Sequence, residues 1–315
     1  MGKTGGKSVN EPRPYRDEHD LEAMRNLLVQ GRKADNGTYY VHTGDLSWWL
    51  YYPPLGGDFW DHIHLWDDPI HPGSLLGWAL ISPDWVGIDV CYRPELRGSQ
   101  LASEMYLWAE KRAIEIARGH VKKTIHALWI SHDDTILVQH FNQQGFRLVR
   151  GLVHLTRRLD GTIPTAQQVQ GFVVRGCMGE AEVATRARAQ YEAFGSSAPF
   201  ERYVRRFTNF MRSPVYHPEL DIVAVTEEGQ VGAFCIAWTD TINKVGLFEP
   251  MGTHPDFQRK GLGKAVLLEG LRRLREMGIQ SASVSAYEDN PAAIKIYESV
   301  GFRIDNRLGT YEKDV

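Results

Sequence analysis

The sequence predicts an α+β fold used twice in one chain, each copy a mixed central β-sheet flanked by helices. Three observations carry this. An internal repeat comes first: RPELRGSQLASEMYLWAEKRA from Arg93 and HPDFQRKGLGKAVLLEGLRRL from His254 share a Pro, an acidic residue, an apolar residue, a short polar loop and then a helical pattern. The copies also end alike, HDDTILVQHFNQQGF from His132 resembling EDNPAAIKIYESVGF from Glu288, so that Pro94 pairs with Pro255 and Gly145 with Gly301 at nearly equal offsets. Between them lies the polar stretch LDGTIPTAQQ at 159–168, with Gly161 and Pro164 as breakers. The chain is thus expected to divide into a disordered tail at 1–12, an N-terminal domain at 13–160 and a C-terminal domain at 169–315.

In the C-terminal copy a strand is expected at 171–175, one or two helices at 180–212, and strands at 220–226 and 230–238 around a turn at Glu228-Gly229. A strand at 245–253 leads into the loop QRKGLG. The next helix carries Ala265, Leu268, Leu271 and Leu274 at helical spacing, with Arg272, Arg273 and Glu276 on other faces. A strand at 279–286, a helix at 291–300 and a strand at 302–312 complete the copy.

Composition bounds the function. A chain of 315 residues with 43% hydrophobic and 24% charged residues is an ordinary soluble globular protein of two-domain size. Its net charge of −3 gives no global attraction to nucleic acid or anionic membrane, so neither is expected as a partner. Cys91, Cys177 and Cys235 are scattered and odd in number, which points to a reducing, cytoplasmic setting and away from a disulfide scaffold or zinc knuckle. No apolar h-region or membrane-length apolar run is present. The sequence does not set an oligomeric state.

The loop Gln258-Arg259-Lys260-Gly261-Leu262-Gly263 sits between a strand and a helix. A helix start offers free N–H groups and the positive end of the dipole. Gly261 and Gly263 let a bulky anion approach the backbone, and Arg259, Lys260 and Lys264 add charge, which together make a pyrophosphate cradle. A Walker loop is excluded because Gln258 and Ala265 stand where Gly and Ser or Thr are needed, and a Rossmann fingerprint because Val266 replaces its third Gly.

HPDFQRKGLGKA, followed by a helix and then NPAAIKIYESVGF, resembles the GCN5-related N-acetyltransferases (GNAT). The family's signature of Gln or Arg, two residues, Gly, one residue, Gly or Ala is complete in Gln258, Gly261 and Gly263. The resemblance covers 171–315, and in weaker form 13–158; a tandem pair of such domains is similar to mycothiol synthase and its relatives. It implies acetyl-CoA as cosubstrate, bound along Met251-Gly252-Thr253, the loop Gln258, Arg259, Lys260, Gly261, Leu262, Gly263 and Lys264, and the start of the last helix, Asn290 and Ala293. It also implies that Tyr297 protonates the departing thiolate and that the Asn290 region contacts the pantetheine arm. Asn290 reads as an N-cap, Pro291 as the first helical residue and Gly301 as the stop. A thiol near 8.5 and a tyrosine near 10 leave the proton transfer uphill by only about 1.5 pKa units.

An attacking amine must be neutral, so a base is wanted. Glu249 is the candidate; many relatives place a glutamate two residues earlier, at Leu247 here, and an offset of two keeps one sheet face. A pocket-rim carboxylate is the competing reading of Glu249, and His254 a second candidate base or simply a turn residue. Backbone groups at 251–253 are expected to hold the thioester and its oxyanion, with strand splaying near Pro250 and Gly252 opening a slot.

The first copy departs from this pattern. Gln100 stands in place of Gly261 and Phe141 in place of Tyr297, so that copy is expected to be structural or to shape the substrate pocket. The aromatic stretch at 38–68 reads as core or pocket lining. His62, His64 and His71 near Asp61, Asp67 and Asp68 suggest a metal, but no supporting ligand logic is visible and none is expected. The expected function is transfer of an acetyl group from acetyl-CoA to a primary amine of a small molecule in a ternary complex. The rivals are a non-catalytic CoA-binding sensor or scaffold and a transferase of longer acyl groups.

Overall fold

A computed structural model describes residues 11–35, 40–52 and 59–315. The expected tail at 1–12 falls almost wholly outside them. In chain order the elements are β1 (Arg13–Pro14), α1 (Glu18–Ala34), α2 (Thr43–Tyr51), β2 (Ile63–Asp67), β3 (Leu75–Ser82), β4 (Gly87–Tyr92), α3 (Gln100–Gly119), β5 (Thr124–Ser131), α4 (Thr135–Gln143) and β6 (Arg147–Arg158). There follow β7 (Val173–Gly176), α5 (Val183–Ala193), α6 (Phe200–Met211), β8 (Asp221–Val225), β9 (Val231–Asp240), β10 (Val245–Thr253), α7 (Leu262–Glu276), β11 (Ser281–Tyr287), α8 (Pro291–Ser299) and β12 (Arg303–Asp314).

Two compact units result. One comprises the described residues of Met1–Val41, Pro54–Arg150 and Leu308–Val315, the other those of His42–Pro53 and Gly151–Arg307. This division does not follow the expected cut near 160. From Leu152 onward β6 pairs with β11 and so belongs to the second unit's sheet, while β12 from Leu308 onward pairs with β5 in the first unit's sheet. The helix α2, early in the chain, also belongs to the second unit. Strand partners are selected by long-range register and face matching, which no local pattern encodes.

The first unit's sheet runs β1-β2-β3-β4-β5-β12, antiparallel except for the parallel pair β4–β5. Its core gathers Ile88, Met105, Ala109, Ala113, Phe141 and Tyr311, so α3 and α4 lie on the sheet through small and aromatic side chains. His62 precedes β2 in a short 3-10 turn and His64 lies on the strand, so the two do not share a strand face. His64 packs on Trp108, with ring centroids 4.5 Å apart, and burial pushes its pKa down to about 4. His71 contacts Asp68, which also pairs with Arg93.

The second unit's sheet runs β6-β11-β10-β9-β8-β7, antiparallel except for the parallel pair β10–β11. Alternation along β9 splits its side chains between two cores. Phe234, Ile236 and Trp238 face α2, α5 and α6, whereas Cys235 and Ala237 face α7 and α8. Arg186 of α5 is fully buried and bonds Asp221 of β8 at 2.8 Å, while the Tyr216 hydroxyl donates to the same carboxylate at 3.1 Å. No helix of the described residues is long and apolar enough to cross a membrane.

Candidate active site

The site begins where one strand pair stops. β10 and β11 pair in parallel only at Val245↔Ser281, Gly246↔Ala282 and Leu247↔Ser283, although β10 continues to Thr253 and β11 to Tyr287. On its other side β10 stays paired with β9, but with a shift: Phe248 faces Ala237 and Met251 faces Cys235. Glu249 and Pro250 together therefore oppose the single residue Ile236, which is a β-bulge. The bulge bends β10 away from β11 and leaves a slot edged by Met251, Gly252 and Thr253, all half-buried.

The same bulge sets Glu249. The same-face argument from Leu247 holds only in a regular strand, and regularity ends at Phe248. The Glu249 carbonyl accepts a hydrogen bond from the Trp238 indole N–H at 2.6 Å, which fixes the backbone there. Burial, reinforced by the charge of Asp45, pushes its carboxyl up to about 8. Asp45 is held by accepting the His42 N–H at 2.8 Å at the start of α2, and the His42 ring lies 3.2 Å from the Val245 carbonyl of β10. Sequence reasoning missed Asp45 and Trp238. Asp45 lies some two hundred positions before Glu249, and no local pattern links the two.

Asn290 caps α8 through its side-chain oxygen, which accepts the Ala293 N–H at 3.2 Å. Ala293 packs at the margin of the core and Tyr297, one turn further, is buried. Its ring packs edge-on against Phe302, with centroids 6.1 Å apart. Among the described residues its hydroxyl has no hydrogen-bond partner, unlike a tyrosine satisfied by backbone. Burial, then the nearby Glu249 charge, then Cys235 raise its pKa above the ordinary phenol value. The Cys235 thiol donates to the Val266 carbonyl at 3.4 Å inside the core, and burial raises its pKa as well.

The glycine loop closes the slot's mouth. A short 3-10 turn, Pro255–Phe257, leads out of β10, and His254 caps it with its Nδ1 accepting the Asp256 N–H, the role of a turn residue. Gln258 follows, exposed, and Arg259 adopts the left-handed backbone at φ +64. Gly261 is the N-cap of α7 at φ +86, a conformation that a side-chain-bearing residue enters at a cost of roughly 1–2 kcal/mol. No side chain caps α7, so its first N–H groups remain for another acceptor. Leu262 and Gly263 are buried; a Cβ on Gly263 would lie 3.1 Å from the Thr253 hydroxyl and 3.5 Å from Met251. Gly263 thereby lets α7 meet the end of β10.

The charges around this loop are unbalanced. Arg259 and Lys264 make no ion pair among the described residues, and Lys260 only rests over Phe257 and Phe172, 5.2 and 6.0 Å from their ring centres. Further along the same helix, Arg272 and Arg273 are both paired with Glu269. Three cations without ion pairs among the described residues, beside a helix start that no side chain caps, give a local field that favours an anion. Among the described residues no group of three or more His, Cys, Asp or Glu is placed to hold a metal ion.

Comparison with known proteins agrees with this geometry. The model of the acetyltransferase (GNAT) family matches residues 184–302. A mycothiol acetyltransferase of Saccharomonospora viridis is 30% identical over 95% of this chain and 95% of its own. One from Nocardiopsis dassonvillei is 35% identical over 28% of each chain. Among solved structures, a tandem GNAT protein from the clavulanic acid biosynthesis pathway superposes with a TM-score of 0.69 over 96% of this chain and 97% of its own, at 16% identity.

Proposed function

The chain belongs to the GNAT acetyltransferase family and is an acetyl-CoA-dependent acyltransferase; from that premise we propose that its second unit carries out the transfer, to a primary amine of a small molecule, while its first unit is structural or shapes the substrate pocket. The observation that carries this is the parting of β10 from β11 after Leu247, with Glu249 and Tyr297 electrostatically coupled and an uncapped, cation-flanked helix start at the mouth.

In this reading the pyrophosphate lies on the loop from Gln258 through Lys264, with Arg259, Lys260 and Lys264 as counter-charges. The pantetheine arm runs past Asn290 and Ala293 and along the open edge of β10 at Met251, Gly252 and Thr253, like an added strand. Glu249 removes a proton from the acceptor amine, and the nitrogen attacks the thioester carbonyl to form the C–N bond. Backbone groups at 251–253 receive the oxyanion. Collapse breaks the C–S bond, and Tyr297 gives its proton to the thiolate; the proton on Glu249 then restores the phenol. The raised pKa of Tyr297 makes its proton transfer to the thiolate more uphill than the free groups suggest. Protonation of Glu249 during attack removes the charge that contributes to that rise, so the base's step prepares the acid's. Cys235 is buried and bonded to a core carbonyl, which favours direct attack over an acyl-enzyme.

A relative that matches along nearly the whole chain is named for mycothiol, so the amine form of that thiol is the first acceptor to try. Three buried, unlinked cysteines fit a reducing, cytoplasmic setting. The test is thiol release from acetyl-CoA in the presence of an amine panel, with longer acyl-CoAs alongside. Turnover with small amines and a preference for acetyl is expected. CoA binding without turnover on any amine would support the non-catalytic sensor, and equal use of long chains the broader transferase.

A further inference from the structure

The strand that carries the parallel pair meets its antiparallel neighbour differently in the two copies. In the first, β3 and β4 pair without a break from Gly77↔Tyr92 to Ser82↔Gly87, and Ile81 lies opposite Ile88, the last residue that β4 pairs with β5. In the second, Trp238 lies opposite Leu247, the last residue that β10 pairs with β11, and the register shifts just beyond, at Glu249 and Pro250. An isoleucine stands in the unbroken strand pair where a tryptophan stands beside the bulge. A bulge is costly unless its freed backbone groups find partners. The extra residue leaves the ladder, Pro250 has no N–H to give, and a buried carbonyl needs a donor. Trp238 supplies one: its indole N–H donates to the Glu249 carbonyl at 2.6 Å, reaching two residues along β10 from its own partner Leu247.

The indole is held in place from the far side. It is buried, and its ring centre lies 6.0 Å from that of Phe210. α2 lies across it, where a Cβ on Gly44 would collide with Cβ and Cγ of Trp238. The start of α2 is itself fastened to β10 by the His42 ring, 3.2 Å from the Val245 carbonyl. α2, the indole and the bulge thus form one packed stack. We propose that Trp238 is a positioning residue for the transfer: by holding the Glu249 carbonyl it fixes the bulge, and with it the direction in which the Glu249 carboxyl points. The inference rests on the reading of Glu249 as the base. The indole N–H is spent on the backbone, so its effect passes through Glu249.

The test is a mutant cycle on the full chain, read by kcat and by the pH profile of kcat/KM. Trp238→Phe removes the N–H and keeps an aromatic ring. Replacing the Trp238 indole by benzothiophene, its sulfur isostere, removes the N–H at constant shape and serves where the Phe variant does not fold. Either change should lower kcat about tenfold, the usual effect of leaving one buried group unsatisfied, with acetyl-CoA affinity by calorimetry within a few-fold. The limb at about 8 should move to lower pH, because a carboxyl no longer held in place gains water while Asp45 and Tyr297, the titratable groups coupled to it, are unchanged. In a Glu249→Gln background the same change should cost nothing further. Phe210→Leu loosens the packing around the ring and keeps the N–H; it should lower the denaturation midpoint and leave kcat and the limb in place. A folded variant without the N–H whose kcat and limb are unaltered would overturn the proposal. So would an equal loss in the Glu249→Gln background. A Phe210→Leu variant that reproduces the loss and the limb shift would overturn it as well, since packing alone would then account for both. Full activity of Glu249→Gln would instead overturn the reading of Glu249 as the base, and this inference with it.

Discussion

The two copies of the strand–loop–helix segment share a skeleton and differ in what they leave unsatisfied. In each, a parallel strand pair stops early, β4–β5 at Ile88↔Ala127 and β10–β11 at Leu247↔Ser283. In each, a 3-10 turn follows, Pro94–Leu96 or Pro255–Phe257, and then a long helix. In each, a polar residue caps the later short helix, Asp134 to the Leu137 N–H and Asn290 to the Ala293 N–H. In the first copy every feature of the anion site is cancelled. Ser99 caps α3 by accepting the Ala102 N–H at 3.2 Å, and Gln100 is already helical, its amide bonded to Glu104 at 2.8 Å. Arg97 is tied to Asp35 at 2.6 Å and lies 3.6 Å from Asp134. Phe141 is packed among Tyr106, Phe146 and Tyr311, with no hydroxyl to offer. Among the described residues the second copy leaves the start of α7 without a side-chain cap, the Tyr297 hydroxyl without a hydrogen bond and Arg259 and Lys264 outside any ion pair, while Lys260 only rests over Phe257 and Phe172. Binding capacity here is a matter of unspent polar groups rather than of fold.

The largest break in this comparison is expected at the acid. Tyr297→Phe makes the second copy match the first and should lower kcat by about 10²–10⁴, the usual worth of a positioned proton donor. Acetyl-CoA affinity by calorimetry should stay within a few-fold, since the hydroxyl is not part of the cradle. The converse Phe141→Tyr should add no turnover, because Arg97 remains paired and α3 remains capped. Full activity in Tyr297→Phe would remove Tyr297 from the chemistry.

A smaller effect is expected at the loop. Gly261→Gln copies the first unit's residue into a left-handed position. The strain of roughly 1–2 kcal/mol, with crowding of the anion, should weaken acetyl-CoA about tenfold or more in calorimetry. One site per chain is expected in the wild type. Gln100→Gly should create no second site, and a second site surviving in Gly261→Gln would mean that the first copy binds cofactor. The replacement of Gly261 by Gln100 is not by itself what separates the two loops. Gln100 is accommodated because the helix begins one position earlier relative to the turn, so the cap at Ser99, more than the Gln100 side chain, closes the site.

Much of this was legible locally. Gly261, Asn290 with Pro291, and Gly301 are backbone requirements written in single residues, and they placed the loop and α8 correctly. The apolar spacing from Ala265 to Leu274 gave the buried face of α7. What escaped depended on distant pairing. Neither β6 nor the end of β12 carries a mark of the sheet it joins, and nothing in α2 says that it packs in the second unit. The aromatic stretch at 38–68 therefore divides: Trp48 and Tyr52 join the second unit's core, Trp66 the first's, and 38–39 and 53–58 lie outside the described residues. Glu249 was nominated by type and position, but its environment was not legible, because Asp45 comes from α2.

That environment gives the finest test. Glu249 must be ionised to act as base, and its carboxyl sits at about 8 in the folded protein. The kcat/KM profile, which reports the free enzyme, should therefore rise as pH increases through about 8. Asp45→Asn keeps an oxygen to accept the His42 N–H but removes the charge, so the limb should move to lower pH by a fraction of a unit, with the plateau nearly unchanged. Glu249→Gln separates the possibilities: a limb that persists there belongs to the acceptor amine, and Glu249 is then not the base. Linkage gives an independent reading. A carboxyl raised in the folded state contributes stability that is complete below its ordinary value of 4.5 and is lost as pH rises through about 8. Denaturant melts of the wild type should weaken over that window relative to Glu249→Gln. Asp45→Asn should shrink the difference without abolishing it, since burial, the larger cause, stays in place.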